Sequence, residues 1–353
     1  NKSLPSNFSK TYMIKKKKIL IITIASNRYG YGHLNRSLSL KSYLNKKFII
    51  KIINFTDERP KNLFTYSFTR VNKILSKSLF LKYDKIILDI SNNKILKEKK
   101  FIKTLSLLTI EFKENIILID SMGKEMLNNY KKINFSTLIC PYFFNNEFKF
   151  KKRKKVKYFI GEKFITLPPN YKNIKIKSLN KKIENLMISC GGSDQNHNSL
   201  KILKFLEKIN IRLKINIVVG PFFSKELRVK IDNFKITSCN KINIYNNQKN
   251  LKKVISNSQI CIISSGLTKY ETASTGLPSI VFNESKKQKI LNKSYEKKNL
   301  SLNIGMINNL NKYKTKITKL MKNSYKLKNF YIKSKKTVDF KGPQRIFKII
   351  GKN

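Results

Sequence analysis

Residues 19–36 read ILIITIASNRYGYGHLNR, and the fold turns on how that stretch is parsed. A seven-residue, largely apolar run, Ile19 to Ala25, follows the lysines 15–18. It superficially mimics a signal peptide, but the apolar part is short and no small-x-small cleavage site follows. It reads instead as a buried strand. Gly30 and Gly32 then allow a tight turn and close approach of backbone to a ligand. A helix beginning near Leu34 offers its first N–H groups to an anion. His33, one of only two histidines, stands where that strand ends. The third glycine of the dinucleotide fingerprint is missing and no P-loop pattern occurs. Two readings of His33 therefore stay open on these residues alone: a capping or packing histidine, or a group facing a ligand.

Composition narrows the class. At 353 residues, with 41% hydrophobic residues and 23 Phe, the chain can fill two cores. Lys and Arg number 75 against 20 Asp and Glu, a formal charge of +55. Such a balance ordinarily points to a polyanion. Only eight of the 75 are Arg, the residue on which base readout leans, and the lysines are spread along the whole chain. A nucleic-acid partner is therefore discounted, while phosphate-bearing small molecules would still be attracted. Cys140, Cys190, Cys239 and Cys261 show no CxxC or Cys/His spacing, which leads us to expect reduced thiols in a cytoplasmic protein. No run approaches the roughly 18 apolar residues of a membrane span, so any membrane contact is expected to be peripheral. The chain opens on Asn1, which leaves a truncated or fused N-terminus open.

Further apolar runs alternate with Lys-rich helical segments: FIIKIINF (48–55), KIILDI (85–90), NIILID (115–120) and TLIC (137–140). The alternation predicts a doubly wound α/β domain over 18–165, behind a basic extension 1–17. A Pro168-Pro169 stretch with many Lys and Asn, 166–182, is the linker candidate. The pattern then restarts with LMISC (186–190), KINIVVG (214–220), KINIY (241–245), ICIISS (260–265) and PSIVF (278–282). A second, similar domain is expected over 183–312, facing the first. The segment 313–353 is helical in pattern and expected to pack back on the first domain.

Ligands of open α/β sheets sit at the carboxyl ends of strands, and two more loops there carry unusual residues. In SCGGSDQNHNSL (189–200), Gly191 and Gly192 suit approach to a phosphate, with Ser193 or Asp194 capping the next helix. A plain structural turn explains them equally well, and His197 is assigned no role. In SSGLTKYETASTGLPSIVF (264–282), Thr268-x-x-Glu271 has capping-box spacing. The same spacing would put Gly266, Lys269 and a helix N-terminus beside a diphosphate, with Glu271 accepting both hydroxyls of a ribose. Asp89 and Asp120 lie at strand ends, where each can orient a sugar or water or simply cap a helix.

Taken together and in this order, these loops resemble the GT-B nucleotide-sugar enzymes, most of all the UDP-sugar hydrolase family of pseudaminic acid biosynthesis and the related spore-coat polysaccharide proteins. The pieces are GYGHLNRSLSL (30–40), ILID (117–120), YFIGEKFITLPPNY (158–171), ISCGGSDQNHNSLKIL (188–203), SSGLTKYETASTGLP (264–278) and VDFKGPQRI (338–346). A more distant similarity to the glycosyltransferase that makes lipid II goes with the same fold, two Rossmann-like domains across a cleft. The resemblance implies that UDP binds the second domain, with Glu271 on the ribose. Ser265, Gly266, Leu267, Thr268 and the turn Gly191, Gly192, Ser193 would lie near the diphosphate, and Tyr245 to Leu251 along the base. Gly30, Gly32, Arg36, Asp89 and Gln288 would complete the sugar side. His33 would face the anomeric carbon and help water displace UDP with inversion. An ordinary imidazole, with a pKa near about 6.5, can accept that proton.

The resemblance implies no cofactor, and a helix N-terminus can stabilise the departing β-phosphate without a metal; the Asp-x-Asp motif of metal-dependent transferases is absent. Two departures stand out: Lys287-Gln288 where the family has Asn-Gln, and Ser265-Gly266-Leu267 in place of paired glycines before Thr268. Hydrolysis of a UDP-sugar in surface-glycan biosynthesis is the expected function, and transfer of the sugar to a glycan, lipid or protein acceptor is the alternative.

Overall fold

The computed structural model describes residues 16–59, 63–119, 132–143, 152–180, 182–209, 211–248 and 250–351. Asp120, Lys249 and most of the N-terminal extension lie outside them. Two wholly parallel sheets organise the chain. The first joins β1 (Lys18–Ile24), β2 (Ile49–Thr56), β3 (Thr65–Ser67), β4 (Lys85–Asp89), β5 (Ile116–Ile119), β6 (Thr137–Cys140) and β7 (Lys157–Ile160), in the spatial order 3-2-1-4-5-6-7. The second joins β8 (Asn185–Ser189), β9 (Lys214–Val219), β10 (Lys241–Asn246), β11 (Ile260–Ser264), β12 (Ser279–Asn283) and β13 (Leu302–Met306), in the order 10-9-8-11-12-13.

The central strands are the apolar runs of the sequence because helices cover both faces. Ile19, Leu20, Ile21 and Ile22 of β1 have no exposed surface, nor have Ile260, Cys261, Ile262 and Ile263 of β11. Each such side chain contributes about 1.5–3 kcal/mol by leaving water. Three strands escape the apolar-run pattern: β3, β7 and β13. All are sheet edges, and β7 and β13 are mostly half-buried, so their sequences carry polar residues that a central strand could not.

Both sheets reverse strand order beside their first strand, between β1 and β4 and between β8 and β11. Such a reversal opens a crevice at the strands' carboxyl ends. The helices that matter there are α1 (Gly32–Leu44) after β1, α2 (Asn198–Glu207) after β8 and α3 (Thr268–Thr275) after β11.

The linker candidate is packed: Leu167, Tyr171 and Ile174 are buried in the core beneath the second sheet. The C-terminal segment is divided between the two sheets. Its helices α4 (Lys314–Met321) and α5 (Ser324–Thr337) pack on the second sheet through Ile317, Leu320, Leu327 and Phe330. Only α6 (Gly342–Gly351) returns to the first, placing Ile346 and Ile350 in its core. The motif VDFKGPQRI is the hinge of that return. A Cβ on Gly342 would stand 1.9 Å from the carbonyl oxygen of Ile165, so only glycine permits the approach. Arg345 then grips both carboxylate oxygens of Asp339 at 2.8 Å and donates to the Lys163 carbonyl at 2.8 Å.

Candidate active site

A cleft of about 480 Å³ lies where the two crevices face each other. Its first wall is the β1–α1 turn. Gly30 adopts φ +77°, and its N–H bonds the Ser26 carbonyl at 2.7 Å, closing the turn that brings α1 to the cleft. No side chain caps α1 at Tyr31, so its first N–H groups lack a side-chain acceptor.

His33 sits in the first turn of α1 and lines the cleft with 9% of its surface exposed. Its Nδ1 lies 2.9 Å from Asp89 Oδ1, at the end of β4. Arg36, one turn on, donates from Nε to Asp89 Oδ2 at 2.8 Å and from Nη2 to Oδ1, and Ser37 adds its hydroxyl at 3.3 Å. Burial pushes the Asp89 carboxyl up, but the Arg36 cation and the bonds from Arg36 and His33 outweigh it and hold the pKa at about 2. An ionised carboxylate can only accept. The ring hydrogen of neutral His33 is therefore on Nδ1, with Arg36 Nη2, 3.2 Å from the same nitrogen, donating to Asp89. Nε2 is left with its lone pair.

Arg36 and Asp89, expected on the substrate, do not line the cleft. They are 2% and 0% exposed and lie behind His33. The carboxylate is taken up by Arg36 and His33, and the guanidinium by Asp89 and the Tyr142 hydroxyl.

The opposite wall is the start of α3. Leu267 precedes this helix and no side chain caps it. Thr268 is already its first residue, so the capping box anticipated from Thr268 and Glu271 is not formed. Ser265, Gly266, Leu267, Thr268 and Glu271 all line the cleft. The buried Glu271 carboxyl takes bonds from Tyr171, Thr268 and, across the cleft, Asn35; burial nevertheless raises its pKa to about 7. Lys269 also lines the cleft, but its amine is buried and turned to other partners. Its amine bonds Asn292 at 3.0 Å and lies 5.0 Å from the Tyr270 ring centroid, and burial lowers its pKa to about 7.

Gly191, Gly192 and Ser193 line the same end, but α2 behind them is already capped. Asp194 takes the N–H groups of Asn198 at 2.7 Å and Ser199 at 2.9 Å. Of the two proposed caps Asp194 is therefore the cap and Ser193 is not. The two uncapped helix starts, α1 and α3, are what the cleft offers an anion. Gly192 answers a steric demand instead: its Cβ would meet that of Tyr31, from the other half, at 2.9 Å. Gln288 also lines the cleft, accepting from the Ser265 hydroxyl at 3.2 Å and the Glu284 N–H at 2.7 Å. In the base segment Gln248, Asn250 and Leu251 face the cleft, and the Leu251 N–H bonds the Tyr171 hydroxyl at 2.7 Å; Tyr245 does not line it. Asn35, Tyr142, Tyr171 and Glu284 also line the cleft; Asn35 and Tyr171 fall within the quoted motifs but, like the other two, take no role from the sequence, because nothing local announces a contact between distant segments.

The strand orders and the facing crevices decide the architecture. The fold is GT-B. MurG of Acinetobacter baumannii superposes with a TM-score of 0.62 at 14% identity, over 95% of this chain and all of that one. The UDP-GlcNAc 2-epimerase of Neisseria meningitidis, solved with UDP-GlcNAc bound, gives 0.60 at 13% identity over 95% and 100%. The spinosyn rhamnosyltransferase SpnG gives 0.61 at 8% over 96% and 100%. No family model matches the chain. An uncharacterised protein of Methanocaldococcus jannaschii is 28% identical over 293 residues, 80% of this chain. The chain spans 58% of that relative's length. Among the described residues no helix is long and apolar enough to cross a membrane, and the four cysteines are free thiols.

Proposed function

We propose that the protein is a nucleotide-sugar hydrolase that cleaves the anomeric C–O bond of a UDP-sugar, acting in the cytoplasm in surface-glycan synthesis of the nonulosonic acid type. The observation that carries this reading is the setting of His33: Nδ1 held on a buried Asp89, in a residue that lines a cleft whose far wall is an uncapped helix start.

Glu271 accepts from the ribose hydroxyls, which take the place of its present donors. The diphosphate lies against the first N–H groups of α3 and the Gly266 backbone, with Gly191 and Gly192 allowing close approach. The sugar then projects towards α1. His33 Nε2 removes a proton from water as the water oxygen bonds to the anomeric carbon. The bond from that carbon to the β-phosphate oxygen breaks, and its electron pair leaves on UDP. Free sugar of inverted configuration, UDP and one proton are the products. Helix N–H groups aimed at the leaving oxygen stabilise its growing charge; this step asks nothing of a metal.

Hydrolysis is tested by incubating the protein with a panel of UDP-N-acetylhexosamines and UDP-linked diacetamido sugars without acceptor. UDP release with free sugar is expected, and its loss in His33→Ala with UDP binding retained. Full activity of His33→Ala would reject the assignment. Transfer to an acceptor is the second reading, favoured by the fold shared with a rhamnosyltransferase; it requires that UDP appear only after an acceptor is added.

A further inference from the structure

Arg36 uses Nε and Nη2 on Asp89, which leaves Nη1 of a buried guanidinium in need of an acceptor. A buried charged donor left unmade costs more than an ordinary hydrogen bond returns. Tyr142, in the loop that leaves β6, meets the need. Its hydroxyl accepts from Arg36 Nη1, and its ring centroid lies 5.5 Å from the guanidinium carbon. The same ring meets that of Tyr270 edge-on, with centroids 5.9 Å apart and planes at 65°. Tyr270 lies on α3, next to Glu271, and also stacks on the ring of Phe143 from the first half at 5.9 Å. A contiguous path thus runs from the helix that would hold the ribose, through Tyr270 and Tyr142, to Arg36, Asp89 and His33.

We propose that Tyr142 is a positioning residue for the His33 imidazole, one that sets the Arg36–Asp89 clamp according to how the second half is seated against the first. This rests on the reading of His33 as the base. The hydroxyl orients Arg36, Arg36 orients both oxygens of Asp89, and Asp89 fixes the plane and tautomer of the ring. The Tyr270 edge holds the Tyr142 ring in place, so displacement of α3 from the first half would loosen the clamp.

The test is Tyr142→Phe, which keeps the ring against Tyr270 and removes only the hydroxyl, assayed for UDP release alongside His33→Ala. Misplacement of a reacting group by a fraction of an ångström predicts a fall in kcat of about tenfold to a hundredfold. KM should stay within about twofold, UDP affinity by calorimetry should be unchanged, and the acid limb of the kcat pH profile should move. Parent kcat and an unmoved profile in Tyr142→Phe would overturn the proposal. So would a fall in kcat that tracks a lowered unfolding midpoint with the profile unmoved, since packing alone would explain it. If His33→Ala is inert while Tyr142→Phe behaves as the parent, only the role of Tyr142 falls; if His33→Ala turns over normally, the reading of the site falls with it.

Discussion

Replacing Asp89 by Asn keeps the shape of the side chain and removes its charge. Asp89 has no exposed surface and Arg36 has 2%, so the substitution strands a guanidinium in the interior. Breaking a buried pair from one side costs about 3–5 kcal/mol, because the remaining charge is uncompensated. The pKa of Asp89 gives an independent scale. A folded value of about 2 against the ordinary 3.8 corresponds to about 2 kcal/mol of stability. Because the folded pKa is the lower one, that stability is fully present above pH 3.8 and lost as the pH falls through about 2. Asp89→Asn should therefore lower the urea-unfolding free energy at neutral pH by about 3–5 kcal/mol and remove the steep loss between pH 4 and 2. Turnover should fall by about 10²–10⁴, the usual contribution of a general base, since an amide no longer fixes the ring hydrogen on Nδ1. The double change Asp89→Leu with Arg36→Met separates the two effects: replacing both charges by apolar groups is often neutral for stability, yet turnover should stay abolished. An Asp89→Asn protein within about 1 kcal/mol of the parent, turning over at the parent's rate, would refute the clamp.

Three further outcomes follow from the geometry. Glu271 has a folded pKa of about 7, raised by burial, and its ionised form is the better acceptor for two hydroxyls, so UDP should bind more tightly as the pH rises from 6 to 8. Subtracting the same titration of Glu271→Gln removes the ionisation of UDP itself, and a flat difference would contradict the ribose role. Lys269→Met should leave UDP affinity unchanged by calorimetry and raise stability at pH 6. The folded pKa of the amine lies near 7, below its ordinary 10.5, so its stability is lost on going down through that range, and an apolar replacement avoids the cost; weaker UDP binding would return the amine to the diphosphate. Gly342→Ala should lower the unfolding midpoint sharply, because the new methyl would overlap the Ile165 carbonyl and undock α6, whereas Gly30→Ala, with φ +77° but open space around the new Cβ, should cost only about 1 kcal/mol.

The central strands were legible because a parallel sheet covered on both faces demands unbroken apolar runs, as at Ile19–Ile24 and Ile260–Ile263. The edge strands β3, β7 and β13 were not, since one free edge and half-burial relax that demand. In the site, the Gly-x-Gly-His turn and the Ser265–Glu271 stretch could be read because each combines glycine, a helix start and polar residues locally. What the pattern could not reveal was direction. Lys269 and Glu271 are two residues apart on one helix, yet the amine turns inward to Asn292 and the carboxyl faces the cleft. Arg36 likewise follows His33 by one turn but points behind it, to Asp89. Tyr142 and Asn35 joined the site only through contacts between distant segments, which no local motif encodes.

The measurement closest to the centre of the mechanism is the fate of water oxygen. With a UDP-sugar turned over in heavy-oxygen water, attack at the anomeric carbon places the label on C1 of the released sugar, with that carbon inverted and UDP unlabelled. Label in the β-phosphate of UDP, or retained configuration at C1, would contradict a water activated by His33 and aimed at that carbon.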